Sequence, residues 1–212
     1  MNVDIYSDCV CPWCFIGKRR FEEARRQRPG LQLDVHWRAF ELNPGIAPGG
    51  RDRQEYLLAK FGGGERLKRL QEQLHDVGVS VGIGFRFDLI QRMPNTRAAH
   101  ALLAVAAEDG RQDAVSEALF NAYFETGRDI GDRDILLALG AAQGLDRAQL
   151  STAFDEPAVL ERILAEETQA HDWGISGVPT FIFDGRYALS GAQPVEVFLQ
   201  LFDRLSGSVS AA

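Results

Sequence analysis

The chain has 212 residues, with 23 Lys+Arg against 30 Asp+Glu and a formal net charge of −7. Hydrophobic residues make up 45%, which excludes a disordered chain and supplies a core that needs no disulfide staples. The acidic balance excludes a dedicated nucleic-acid binder, which would need a basic face to displace counterions from phosphate.

Residues 3–7 read as a short strand, with Val3 and Ile5 on one face and Tyr6 on the other. The strand runs into Asp8-Cys9-Val10-Cys11-Pro12-Trp13-Cys14. From Trp13 to about Arg28 the pattern is helical. Phe15, Phe21 and Ala24 share a buried face, Lys18, Arg19 and Arg20 lie on a solvated one, and Pro29-Gly30 stops the helix. Over 31–39, Leu31, Leu33, Val35, Trp37 and Ala39 alternate with polar residues, the pattern of a half-buried strand. A turn-rich link at 43–50 follows, and then a mostly helical stretch. Helices are predicted over 54–61, 65–77, 95–109, 114–126, 133–143, 147–154 and 157–172, with a glycine-punctuated, extended segment at 78–88. Thr180-Phe181-Ile182-Phe183 is a strand, Asp184-Gly185 a hairpin turn, and residues 187–190 the return strand. A helix over 194–205 and a frayed tail from Ser206 complete the chain.

The order is strand–helix–strand, a helical block, then hairpin–helix. Two strands alone make a poor sheet, so one sheet built from both ends of the chain is expected. The predicted organisation is an α/β domain formed by residues 1–48 and 173–212, with a helical domain, residues 49–172, inserted between. No basic region followed by an apolar run opens the sequence, and no stretch approaches about 18 apolar residues. The expected location is therefore cytoplasmic, with no membrane partner.

Three cysteines, Cys9, Cys11 and Cys14, fall within six positions. In a reducing compartment such a cluster points to chemistry or metal rather than a structural framework. Cys11 falls near a helix N-cap, with Pro12 at the first helical position, where its missing N–H costs nothing. Unpaired amides and the dipole of that first turn favour a thiolate on Cys11, the attacking species in disulfide exchange. Cys14, three residues on, is placed to resolve the mixed disulfide, and Trp13 to shield the pair. Cys9 reads as a small buried residue at a strand end, or else as an alternative disulfide partner. No second CxxC is present, and His36, His75, His100 and His171 lack ligand spacing, so no metal is expected. His100, on an alanine-rich helix, reads as a satisfied core histidine.

Cys11-Pro12-Trp13-Cys14 after the first strand, with Gly177-Val178-Pro179-Thr180 before the hairpin, resembles the DsbA-like thioredoxin-fold family. Ser7-Asp8-x-x-Cys11-Pro12-Trp13-Cys14-Phe15-Ile16-Gly17, Asn95-Thr96-x-x-Ala99-His100 and Ser190-Gly191-Ala192-Gln193 resemble its FrnE-like branch. The resemblance implies a thioredoxin-like fold with a large helical insertion and a cis Pro179 facing the cysteine pair. It also implies a Val178 backbone offered to an extended peptide or to glutathione. Pro12, Trp13 and Asn95 are further candidates for lining the substrate cleft. The amides of Gly191, Ala192 and Gln193 are candidates for holding a carboxylate. The expected activity is thiol–disulfide exchange on protein, peptide or glutathione disulfides. No cofactor is bound, glutathione is a possible co-substrate, and the chain is a monomer or homodimer. Two other readings stay open. One is a glutathione-dependent isomerase or transferase of the 2-hydroxychromene-2-carboxylate isomerase or kappa class, which uses serine where this chain has Cys11. The other is a non-catalytic metal- or protein-binding module.

Overall fold

The two ends of the chain meet in one four-stranded sheet, whose strands lie in the order Asp34–Ala39, Asn2–Ser7, Thr180–Phe183, Tyr187–Ser190. The structure is a computed structural model and describes residues 1–209. The central strand β1 (Asn2–Ser7) pairs in parallel with β2 (Asp34–Ala39) and antiparallel with β5 (Thr180–Phe183). Ile5 thereby lies between Trp37 and Phe181. A parallel pair needs a crossover, and α1 (Pro12–Arg26) supplies it. β6 (Tyr187–Ser190) returns from β5 through Asp184 and Gly185, both at positive φ (49° and 65°), which suits an Asp-Gly turn. Both faces of β1 are covered, so Val3, Ile5 and Tyr6 are all buried.

Between β2 and β5 run α2 (Arg53–Phe61), α3 (Gly64–Ser80), α4 (Arg97–Glu108), α5 (Gln112–Phe120), α6 (Arg133–Ala142), α7 (Arg147–Ala153) and α8 (Pro157–Asp172). α9 (Val195–Val209) follows β6. The fold is the expected mixed α/β architecture. Four elements differ from expectation by more than two residues. β2 starts at Asp34 rather than Leu31, because Asp34 already pairs with the first residues of the chain (its N–H donates to Met1 O, 3.0 Å). α3 continues to Ser80, and 81–88 forms no strand; there Phe85 and Phe87 stack on each other, centroids 4.9 Å apart. The helix predicted over 114–126 becomes α5 plus a π turn, Asn121–Glu125. α9 runs through the residues expected to fray from Ser206, while 210–212 lie outside the described residues. A two-residue ladder of β3 (Arg51–Asp52) and β4 (Arg92–Met93) carries too little pattern to be predicted.

α1 is the hinge between sheet and helical block. Phe15 stacks on Phe120 (5.1 Å) and Phe124 (6.2 Å), in the helical block. Phe21 packs instead on Phe181 (5.5 Å) and Phe198 (5.7 Å), in the sheet and α9. The expectation of one shared face was therefore wrong. Six residues at about 100° each leave the two rings roughly 120° apart, so α1 is buried on two sides. The solvated Lys18 was also wrong. Its side chain is 2% exposed and pairs with Glu22 and, at 3.0 Å, with Glu117, because α5 packs over α1. Among the described residues no helix is long and apolar enough to cross a membrane.

Candidate active site

Cys11 is the N-cap residue of α1, with extended backbone (φ −93°, ψ 112°) and Pro12 as the first helical residue. Its N–H donates to Asp8 O (3.0 Å), which closes the 8–11 turn, and its carbonyl accepts from Cys14 N (3.0 Å). No acidic residue stands in the first turn and no side chain caps it, so the positive end of the helix faces the thiols uncompensated. Cys14 is one turn in and buried. Burial pushes its thiol well above the usual 9.0, and contact with the Cys11 side chain pushes it further; the Ser7 hydroxyl and the Asp8 backbone oppose the shift. All three cysteines are free thiols. Cys9 is buried at the end of β1, and desolvation followed by the Asp8 charge raises its thiol too.

The Gly177–Thr180 loop comes to this pair. The Val178–Pro179 peptide bond is cis, and the Cys11 thiol lies 3.6 Å from Val178 O, to which it donates. Gly17, on α1, leaves room for Pro179: a Cβ there would sit 2.9 Å from Pro179 Cγ. Gly191 N–H donates to Pro179 O (2.8 Å), and Arg20 Nη1 to Ala192 O (2.5 Å), so the 190–193 turn is tied to the same loop and to α1. Cys11, Val178, Pro179, Gly191 and Ala192 thus form one constellation. Gln193 stands at its edge with its side chain turned back to Ser190 O (2.8 Å), and its N–H donates to Gly191 O. Two of the three amides expected to receive a carboxylate therefore already have partners.

Pro12 joins Cys11 in lining a cavity of about 130 Å³ that reaches into the helical block. Trp13 is half-buried against the core. Asn95 is elsewhere. Its Nδ2 donates to Ile46 O (2.8 Å), its Oδ1 accepts from Arg97 N (3.0 Å), and it lines a separate cavity with Ile46, Arg97 and Arg133.

Behind the thiols lies a pair that sequence reasoning missed. Asp8 is fully buried; Leu42 N–H (2.7 Å) and Val10 N–H (3.4 Å) donate to its carboxylate. Desolvation nonetheless lifts its pKa to about 7. His100 Nε2 is 3.8 Å from Asp8 Oδ1 and has no hydrogen-bond partner, so His100 is in the core but not satisfied there. Desolvation, then the nearby Arg97 charge, lowers it to about 4. At that distance, with both groups driven toward neutrality, the pair is no salt bridge at neutral pH. Ninety-two positions separate the two, and no local pattern links them. Among the described residues no group of three or more His, Cys, Asp or Glu side chains is arranged to hold a metal ion.

A strand–CxxC–helix unit with a cis-proline loop across a mixed four-stranded sheet, broken by a helical insertion, defines a thioredoxin-like fold with an inserted helical region. The chain belongs to the DsbA-like thioredoxin domain family, whose model matches residues 2–203. It is 34% identical to a probable DsbA oxidoreductase of Streptomyces coelicolor, whose crystal structure superposes with a TM-score of 0.88 over 98% of this chain and 90% of that one. It is 30% identical to the uncharacterized protein YwbO of Bacillus subtilis over 93% of this chain and 94% of that protein. The cytosolic disulfide reductase DsbM of Pseudomonas aeruginosa, solved with glutathione, shares the fold: TM-score 0.68 and 21% identity, over 97% of this chain and 100% of that one.

Proposed function

We propose that the protein is a cytoplasmic thiol–disulfide oxidoreductase whose redox pair is Cys11 and Cys14. Cys11 as thiolate attacks a substrate disulfide, forms a mixed disulfide and releases one substrate thiolate. Cys14 then loses its proton and attacks the Cys11 sulfur, expelling the second substrate thiolate. The protein ends with a Cys11–Cys14 disulfide, two electrons poorer, and the substrate ends as two thiols; an oxidised protein runs the same steps backward. The observation that carries the reading is the Cys11 sulfur 3.6 Å from the Val178 carbonyl, with Cys14 buried behind it. That carbonyl lies where an extended peptide, or the backbone of glutathione, would pair beside the attacked sulfur. The glutathione held by the Pseudomonas reductase supports glutathione as a substrate of this chain as well. The isomerase reading is weaker, because a thiol stands at position 11 and a second thiol at position 14.

The test is mass analysis and turnover. Reduced protein treated with glutathione disulfide is expected to lose two hydrogens, through a disulfide between Cys11 and Cys14. Cys11→Ser is expected to lose all dithiol-dependent reduction of insulin. A Cys11→Ser variant that keeps this activity would overturn the assignment.

A further inference from the structure

The cavity beside Cys11 carries a feature that disulfide exchange does not use. Its walls are mostly apolar, including Leu57, Leu74 and Phe87, with Tyr123 and Phe124 brought in by the π turn. Among the described residues, its charged lining is Arg53 and Lys60, both cations, and no carboxylate lines it, in a chain of net charge −7. Arg53 is the more telling, being 9% exposed. Its Nη1 has only a long bond to Phe87 O (3.4 Å), its guanidinium lies 5.4 Å from the Phe87 ring, and its buried Nε has no partner. Among the described residues no carboxylate acts on it; its favourable side-chain neighbours are the Tyr123 hydroxyl, to which it is hydrogen-bonded, and the Phe87 ring, and burial lowers its pKa. A buried cation without an anion is costly, and an arginine fork matches a carboxylate in two parallel bonds. The cavity's 130 Å³ is a little smaller than the roughly 150 Å³ of an engineered apolar cavity that binds benzene.

We propose that this cavity is a subsite for a compact apolar or aromatic group bearing a carboxylate, with the carboxylate on Arg53 and the ring against Leu57, Leu74 and Phe124. The inference rests on the reading of Cys11 as the attacking thiol: it places the preferred disulfide substrates among those with an aromatic acid on one sulfur. The exchange itself is unchanged. Cys11 forms the mixed disulfide with the aryl thiol and releases its twin, Cys14 releases the bound one, and the protein's own dithiol supplies both electrons.

The probes are bis(4-carboxyphenyl) disulfide and its neutral isostere bis(4-carbamoylphenyl) disulfide. Each is reduced in a single turnover by the pre-reduced protein, and each rate is divided by the rate with free glutathione. The wild type is expected to prefer the carboxylate by about tenfold to a hundredfold, the worth of one charge-assisted pair. Arg53→Met is expected to bring that ratio near one, and Arg53→Lys to keep part of it. In the wild type, 4-methylbenzoate is expected to slow the carboxylate reaction and 4-methylbenzamide to leave it alone, a readout that needs no variant to fold. Cystamine, a small disulfide with neither ring nor carboxylate, reports on Cys11 by itself. Cystamine reduced without a carboxylate preference, or a preference that survives in folded Arg53→Met, overturns the subsite alone. Failure to reduce cystamine overturns the redox reading beneath it.

Discussion

Asp8→Asn isolates the electrostatics behind the thiols. Asp8 is buried with a pKa raised by desolvation from 3.8 to about 7. Between those two pH values the folded chain holds a proton that the unfolded chain has released, so rising pH removes stability. At about 1.4 kcal/mol for each pH unit between them, the loss is of order 4 kcal/mol by pH 7. His100 has the opposite sign. It is lowered from 6.5 to about 4, so between these values the unfolded chain binds the extra proton and rising pH adds stability, of order 3 kcal/mol. In the wild type the two slopes nearly cancel from pH 4 to 6.5. The introduced carboxamide can keep its oxygen on Leu42 N–H and turn its NH₂ toward His100 Nε2, which loses the 3.4 Å bond from Val10, while the Thr96 hydroxyl that bonds the carboxylate can rotate to accept from the same NH₂. The variant is therefore expected to match the wild type within about 1 kcal/mol near pH 4 and to exceed it by a few kcal/mol at pH 8. Urea unfolding of both proteins at half-unit steps from pH 4 to 8 gives the difference directly. Two parallel stability curves would refute the burial argument for Asp8.

Three further outcomes follow from the geometry. Gly17→Ala places a methyl 2.9 Å from Pro179 Cγ, a stiff ring atom. It is expected to destabilise by about 1–3 kcal/mol and to slow disulfide reduction, by shifting the Val178 carbonyl away from Cys11; unchanged melting temperature and rate would contradict the contact. Phe15→Ala removes the ring that ties α1 to Phe120 and Phe124, and is expected to cost about 3–5 kcal/mol in chemical denaturation. With iodoacetamide at neutral pH, peptide mapping is expected to find Cys11 labelled more than roughly tenfold faster than Cys14 and Cys9, whose thiols burial raises.

The outline of the fold was legible because its signals are local. The Asp184-Gly185 turn, the Pro179 strand entry and Pro12 at a helix start are single-residue rules, and all lie where expected. The Cys11–Cys14 spacing was legible for the same reason. What escaped is what packing between distant segments decides. Lys18 reads as a surface residue until α5 covers it, and the two sides of α1 cannot be separated without knowing that helices lie on both. The partners that the Asn95 amide finds, Ile46 and the start of α4, are likewise set by packing between distant segments. Asp8 with His100, and Arg53 with Tyr123 and Phe124, meet only through the tertiary fold.

A division of labour between two thiols is the central claim, and trapping tests it most directly. Cys14→Ser is incubated reduced with glutathione disulfide, quenched with acid and weighed intact. One glutathionyl group is expected, mapped to Cys11 and released by dithiothreitol, with Cys11→Ser taking up none under the same conditions. Glutathione found on Cys9, or a Cys14→Ser variant that turns over without accumulating the Cys11 mixed disulfide, would contradict it.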